Sequence, residues 1–212
     1  MPVTFLQNIN ADTEIGLWKI TESPEDLMAR LQLKEHELAL LNTLSKEKRN
    51  LHWLATRVLL RKMLNTNQYI DCQADENGKP ILINHPHHIS LSHSYDYAAV
   101  MISKTKKVGI DIEIIKEKIE RVKNKFLSAK ELNFINPNYQ IEQLYVCWCA
   151  KEALYKLNGK KETSFKDHIH LESFDYKQSG TLAAKIEKEN IEHQFTVQYK
   201  KLDNYMLGFV CQ

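Results

Sequence analysis

The run Gly109-Ile110-Asp111-Ile112-Glu113 alternates apolar residues with small or acidic ones, and a period of two is that of a β-strand. As a strand it sends Asp111 and Glu113 out of one face and Ile110 and Ile112 out of the other. Further along, Trp148-Cys149-Ala150-Lys151-Glu152-Ala153-Leu154-Tyr155-Lys156 reads as a helix in which Glu152 and Lys156 lie one turn apart on a shared face. Two carboxylates on a strand end and a third on a helix are able to hold a Mg²⁺ beside a phosphate, with a lysine to neutralise developing charge. Each piece alone has a plainer reading. An acid pair is often a solvated strand end, and a Glu/Lys pair at this spacing is often a surface ion pair.

The rest of the chain alternates between short β-like runs and helices. An apolar stretch from Glu14 to Ile20 predicts an early strand, and Ser23-Pro24-Glu25-Asp26 a helix start with a capping serine. A second start at Ser45 leads into a longer helix, with Leu51, Leu54, Val58, Leu59 and Met63 at helical spacing. Asn77-Gly78 is a turn signal between the runs 68–73 and 80–83. Residues 88–92, 96–103 and 108–113 then predict a cluster of strands instead of alternating βα units. The charged stretch 116–125 predicts a solvated connection or helix, and Ser128-Ala129-Lys130-Glu131 is a capping box that opens another helix. Asn136-Pro137 breaks that helix. A long helix from about Gln140 stops at Asn158-Gly159, and β-like runs follow at 169–176, 181–186, 194–199 and 205–210. The expected fold class is α+β, with two similar lobes at 1–105 and 106–212. Each lobe is expected to carry a small, mostly antiparallel sheet and a long helix, with the ligand in the cleft between them.

Composition narrows the function classes. A net charge of +2 with 26% charged residues gives no bulk electrostatic basis for nucleic-acid or membrane binding. The N-terminus lacks a basic, then apolar, leader pattern, and no apolar run approaches the ~20 residues needed to span a bilayer. The four cysteines, Cys72, Cys147, Cys149 and Cys211, form no disulfide framework, which fits a reducing cytoplasm. Cys147 and Cys149, in an apolar helical run, read as small buried hydrophobes. His85, His87 and His88 lack further ligands at a structural zinc spacing, and Lys104 to Lys107 reads as a solvated strand flank. Gly109 belongs to no Gly-rich phosphate loop.

Four blocks in order, Gly78-Lys79-Pro80, Ser90-Leu91-Ser92-His93-Ser94, Gly109 to Glu113 and Trp148 to Lys156, resemble the 4′-phosphopantetheinyl transferases of the larger Sfp type. Phe126 to Glu131 is a fifth, weaker block, and the resemblance spans roughly 45 to 160. It implies Mg²⁺-dependent transfer of the phosphopantetheine arm of coenzyme A to a serine of an acyl or peptidyl carrier protein, releasing adenosine 3′,5′-bisphosphate. By resemblance, Asp111, Glu113 and Glu152 ligate the metal. Glu152, or a water it polarises, accepts the serine proton, and Lys156 stabilises or protonates the leaving phosphate. The resemblance also puts Ser92 and His93 on the pyrophosphate, Lys79 near the nucleotide end of coenzyme A, and Lys48 and Arg57 on its 3′-phosphate. Arginine suits a phosphate through its bidentate fork. A cytoplasmic monomer is expected. The competing readings are a non-catalytic coenzyme A or carrier-protein binding module, and a Mg²⁺-dependent pyrophosphate hydrolase using water as acceptor.

Overall fold

Short apolar runs need partners for both their side chains and their backbone groups, and this chain supplies them through antiparallel pairing throughout. The computed structural model describes residues 3–44, 47–160 and 162–212, with the side chains at 3, 4, 47 and 48 also outside the description. The expected helix start at Ser45 therefore lies outside the described residues. The chain divides into two units, one of residues 1–75 and 80–106, the other of residues 76–79 and 107–212. The division falls at Lys106/Lys107, and the turn Glu76–Lys79 groups with the second unit.

In the first unit the elements are β1 (Val3–Asn10), β2 (Thr13–Lys19), α1 (Pro24–Met28), α2 (Glu35–Thr43), α3 (Glu47–Met63), β3 (Cys72–Ala74), β4 (Pro80–Leu82), β5 (His88–Ser94) and β6 (Tyr97–Ser103). A four-stranded sheet runs β1-β2-β6-β5, and β3 pairs with β4. The Ser23 capping box is formed, with the Asp26 amide donating to Ser23 Oγ and the Ser23 amide to Asp26 Oδ2. Leu54, Ala55, Val58, Leu59 and Leu60 give α3 an apolar stripe, which packs with Trp18, Ile89, Ala98, Val100 and Ile102 of the sheet. The strand β1 and the helix α2 were not expected. In β1 the apolar Phe5, Leu6 and Ile9 follow no strict alternation, and Leu6 is exposed.

The second unit comprises β7 (Val108–Ile114), α4 (Lys123–Phe126), α5 (Ala129–Leu132), α6 (Gln140–Asn158), β8 (Ile169–Leu171), β9 (Ser179–Lys188), β10 (Ile191–Leu202) and β11 (Tyr205–Cys211). Its five strands run β7-β11-β10-β9-β8. The charged stretch forms a 3₁₀ turn at Glu117–Arg121 followed by α4. The run 169–176 contributes only three residues of strand, whereas 194–199 extends to twelve. The long helix ends where its sequence signal stands: Gly159 adopts φ +68° and its amide donates to the Tyr155 carbonyl, the left-handed close that glycine accepts without strain. Leu144, Val146, Cys147, Ala150, Ala153 and Leu154 of α6 pack with Leu182, Val197, Met206 and Val210 of the sheet. Each unit thus lays one long helix on one antiparallel sheet. Among the described residues no helix is long and apolar enough to cross a membrane.

Candidate active site

Two glycines set how closely α6 approaches the sheet of the second unit. A Cβ on Gly109 would collide with the Ala153 carbonyl oxygen, and one on Gly208 would lie 2.9 Å from the Cys149 backbone. Gly208 is the register partner of Asp111, and Val210 that of Gly109, so both glycines lie on the β7–β11 face carrying Asp111. The helix consequently rests almost on the backbone, as only glycine permits. This close approach brings the acidic edge of β7 and the polar edge of α6 together. Asp111 is 4% exposed, which excludes the solvated strand end, and Glu113 is half-buried.

Lys156 Nζ donates to Asp111 Oδ1 at 2.8 Å and to the Ile110 carbonyl at 3.0 Å. Its partner is therefore on the neighbouring strand, and the pair is not the surface Glu152–Lys156 bridge. The site also displaces the protonation of Glu152. Burial, then the charge of Asp111, pushes its carboxyl up to about 7, with Lys156 opposing and Glu113 adding to the rise. A carboxyl raised by two neighbouring carboxylates marks a cluster of negative charge that a cation would relieve. Its donors are all carboxylate oxygens, the hard set that Mg²⁺ prefers. Among the described residues no group of three or more His, Cys, Asp or Glu side chains is arranged so that it could hold a metal ion, and one Asp111 oxygen is engaged by Lys156. Cys149 lies close by, and burial followed by Asp111 and Glu113 holds its thiol protonated, so it is no nucleophile.

Lys79 reaches the same helix from the turn. Its Nζ donates to the Leu157 carbonyl at 3.0 Å, and its chain packs beside Gly159, a cation at the negative end of α6. The other expected residues belong to the first unit. Ser92 is buried and His93 exposed on β5. The Arg57 guanidinium lies 4.3 Å over the Trp53 ring and, among the described residues, makes long contacts of 3.4 Å to Thr56 Oγ1 and 3.8 Å to Cys72 Sγ. Its Nε is buried without a hydrogen-bond partner among the described residues. It lines a cavity of about 20 Å³ with Glu37, Leu60, Arg61 and Tyr69, room for about one water. Lys48 falls on α3 with its side chain outside the described residues.

Two relationships escaped the sequence. Lys151 is fully buried and Glu131 nearly so. Lys151 Nζ lies 2.7 Å from Glu131 Oε1 and donates to the carbonyls of Phe165 and Ile169, while Glu131 also accepts from the amides of Ser128 and Leu171. A signal was available: Cys147, Ala150, Lys151 and Leu154 share one helical stripe, so a lysine there must be buried and needs a counter-ion. The second is a stack of His52 on His93 with ring centroids 4.3 Å apart, for which the sequence carries no mark.

Comparison with known proteins bears on the family. Residues 107–210 match the family model of the 4′-phosphopantetheinyl transferase superfamily, a span that holds the whole acidic cluster and α6. The chain is 34% identical over 113 residues to the 4′-phosphopantetheinyl transferase AcpT of Escherichia coli (strain K12), covering 50% of this chain and 57% of AcpT. It is 32% identical over 117 residues to the AcpT of Salmonella typhimurium, covering 52% and 60%. Against the 4′-phosphopantetheinyl transferase HetI of Nostoc the identity is 26% over 163 residues, 69% of each chain. The chain thus spans well under two thirds of the length of the AcpT proteins it matches.

Proposed function

We propose that this chain, whose residues 107–210 match the 4′-phosphopantetheinyl transferase superfamily, moves the phosphopantetheine arm of coenzyme A onto a serine of an acyl or peptidyl carrier protein. The serine oxygen bonds to the phosphorus bearing the pantetheine arm. The pyrophosphate bridge breaks, adenosine 3′,5′-bisphosphate departs, and the hydroxyl proton goes to a base. The observation that carries this reading is the clustering of Asp111, Glu113 and Glu152 beside Lys156, seen in the raised Glu152 carboxyl and the 2.8 Å Lys156–Asp111 contact.

Asp111, Glu113 and Glu152 are the residues proposed to hold Mg²⁺, which when bound would withdraw charge from the pyrophosphate oxygens. The chain's own groups supply the remainder. By resemblance, Glu152, or a water it polarises, accepts the serine proton. Lys156 supplies a positive charge for the leaving phosphate. Ser92 and His93 are assigned by resemblance to the pyrophosphate, with an imidazole N–H as donor, and Lys79 to the nucleotide end. For the 3′-phosphate the resemblance offers Lys48 and Arg57. Of these two, Arg57 packs on Trp53 and lines a cavity of about 20 Å³.

The test is intact-mass analysis of an apo acyl or peptidyl carrier protein incubated with this protein, coenzyme A and Mg²⁺. The expected result is a gain of one phosphopantetheine, abolished by EDTA and by Asp111→Ala. Breakdown of coenzyme A without any carrier would replace this reading with pyrophosphate hydrolysis. Coenzyme A binding with neither reaction would leave a binding module.

A further inference from the structure

His52 and His93 come from distant parts of the first unit yet meet ring to ring. Their centroids are 4.3 Å apart and their planes 16° from parallel. His52 projects from α3 and His93 from β5. Neither ring is enclosed by the core: His52 is half-buried and His93 exposed. Packing pressure therefore does not account for the stack.

A hydrogen bond does. His52 Nε2 lies 2.6 Å from the Tyr95 carbonyl oxygen. A carbonyl only accepts, so Nε2 carries a proton, and the ring is fixed in both direction and tautomer. The turn that presents this carbonyl is unusual in itself. Tyr95 holds φ +51°, a left-handed conformation costly for a bulky aromatic residue. It sits between Ser94 and Tyr97, which pair across the β5–β6 hairpin, and the next carbonyl, of Asp96, accepts from the Ile20 amide at 2.6 Å. The hairpin tip is thereby tied to the chain after β2, and through Tyr95 to α3. His52 is the piece that converts this fixed tip into a flat surface for the His93 ring.

We propose that His52 is a positioning residue that holds the His93 imidazole in one orientation, ready to donate to a phosphate oxygen of coenzyme A. This rests on the reading above that His93 meets the pyrophosphate. Ordering a side chain on binding weakens affinity. A ring already stacked on a second, anchored ring has lost that freedom beforehand. His52 need not touch the ligand; its effect passes through His93.

The experiment is a double-mutant cycle read by calorimetric titration of coenzyme A, with the His93 ring followed by NMR in the ligand-free protein. His93→Ala tests the underlying reading, since unchanged affinity in that variant would remove His93 from the ligand site whatever His52 does. With His93 confirmed, His52→Ala is expected to weaken coenzyme A binding by about three- to tenfold. It should raise KM with kcat nearly unchanged, and shift the His93 ring resonances as the stack is lost. His52→Phe keeps an aromatic surface without the Tyr95 bond and should recover part of the affinity. In the His93→Ala background, His52→Ala should add nothing. Weaker binding for His93→Ala with full affinity for His52→Ala would overturn the proposal, as would an equal loss from His52→Ala in both backgrounds. A thermal melt of each variant guards the comparison: His52→Ala that melts at the wild-type temperature and still binds coenzyme A fully counts against it.

Discussion

Lys151 and Glu131 form an ion pair 2.7 Å long in which both side chains are buried, while the carboxyl of Glu152, the very next residue, is pushed up to about 7 by burial and then by Asp111. One helix thus uses adjacent positions for opposite ends. Lys151 anchors α6 to the Ser128–Glu131 cap and to the segment entering β8, through Glu131 and the carbonyls of Phe165 and Ile169. Burial lowers the Lys151 pKa and Glu131 raises it again, so the charged form depends on its partner.

Removing only one charge leaves the other buried and uncompensated. Lys151→Met is therefore expected to cost about 3–5 kcal/mol of stability, measured by chemical denaturation. Loss of activity should follow loss of fold, with the residual folded fraction still binding coenzyme A. An unchanged denaturation midpoint would show that the pair contributes nothing.

The close approach of α6 to β7 gives a second expectation. A methyl group on Gly109 meets the Ala153 carbonyl, an atom of a helix backbone that has no rotamer in which to move aside. Gly109→Ala should cost stability by more than the about 1–3 kcal/mol of ordinary overpacking. It should also lift Glu152 and Lys156 away from Asp111. Phosphopantetheine transfer in the mass assay is expected to fall at least about 10²-fold even at temperatures where the variant is folded, because small misplacements are costly in such sites. Wild-type transfer by folded Gly109→Ala would show that the helix need not lie so close.

How much of this was legible beforehand depends on the range of the interaction. Alternation put Asp111 and Glu113 on one face, helical spacing put Glu152 and Lys156 on another, and Asn158-Gly159 ended α6 where it ends. These are local signals, read from a few neighbouring residues. The pairing of Lys156 with Asp111 instead of Glu152 was not local, since it depends on β7 running beneath α6 at glycine distance. Likewise Ser128–Glu131 was read as a cap, and Glu131 does cap, but its second task as the counter-ion of Lys151 needs the tertiary fold. The stack of His52 on His93 joins a helix to a hairpin and has no counterpart in any sequence period.

Arg57 provides a third test, because its surroundings are those of a packed cation. It stacks on Trp53 at 4.3 Å, where a planar guanidinium is worth about 0.5–2 kcal/mol and an ammonium fits the same space poorly. Arg57→Lys is expected to lower stability by about 1 kcal/mol and to leave the preference for coenzyme A over dephospho-coenzyme A unchanged. A selective rise in KM for coenzyme A alone would instead put Arg57 on the 3′-phosphate.

The raised Glu152 carboxyl makes the metal-free protein respond to pH in a defined direction. Its folded value is near 7 against an ordinary 4.5, so between these values the folded chain binds a proton that the unfolded chain does not. The favourable contribution of the protonated group is complete below about pH 4.5 and is lost as pH rises through about 7. At pH 8 the ionised group then costs the metal-free fold about 3 kcal/mol at most. Glu152→Gln, which cannot ionise, is expected to melt above the wild type at pH 8 in EDTA, with the difference shrinking towards pH 5. Saturating Mg²⁺ should raise the wild-type melting temperature at pH 8, because a bound cation relieves the same repulsion and favours the folded state by mass action. It should raise that of Glu152→Gln much less. A pH-independent gap between the two proteins, or equal stabilisation of both by Mg²⁺, would mean that Glu152 neither carries the raised charge nor takes part in holding the cation.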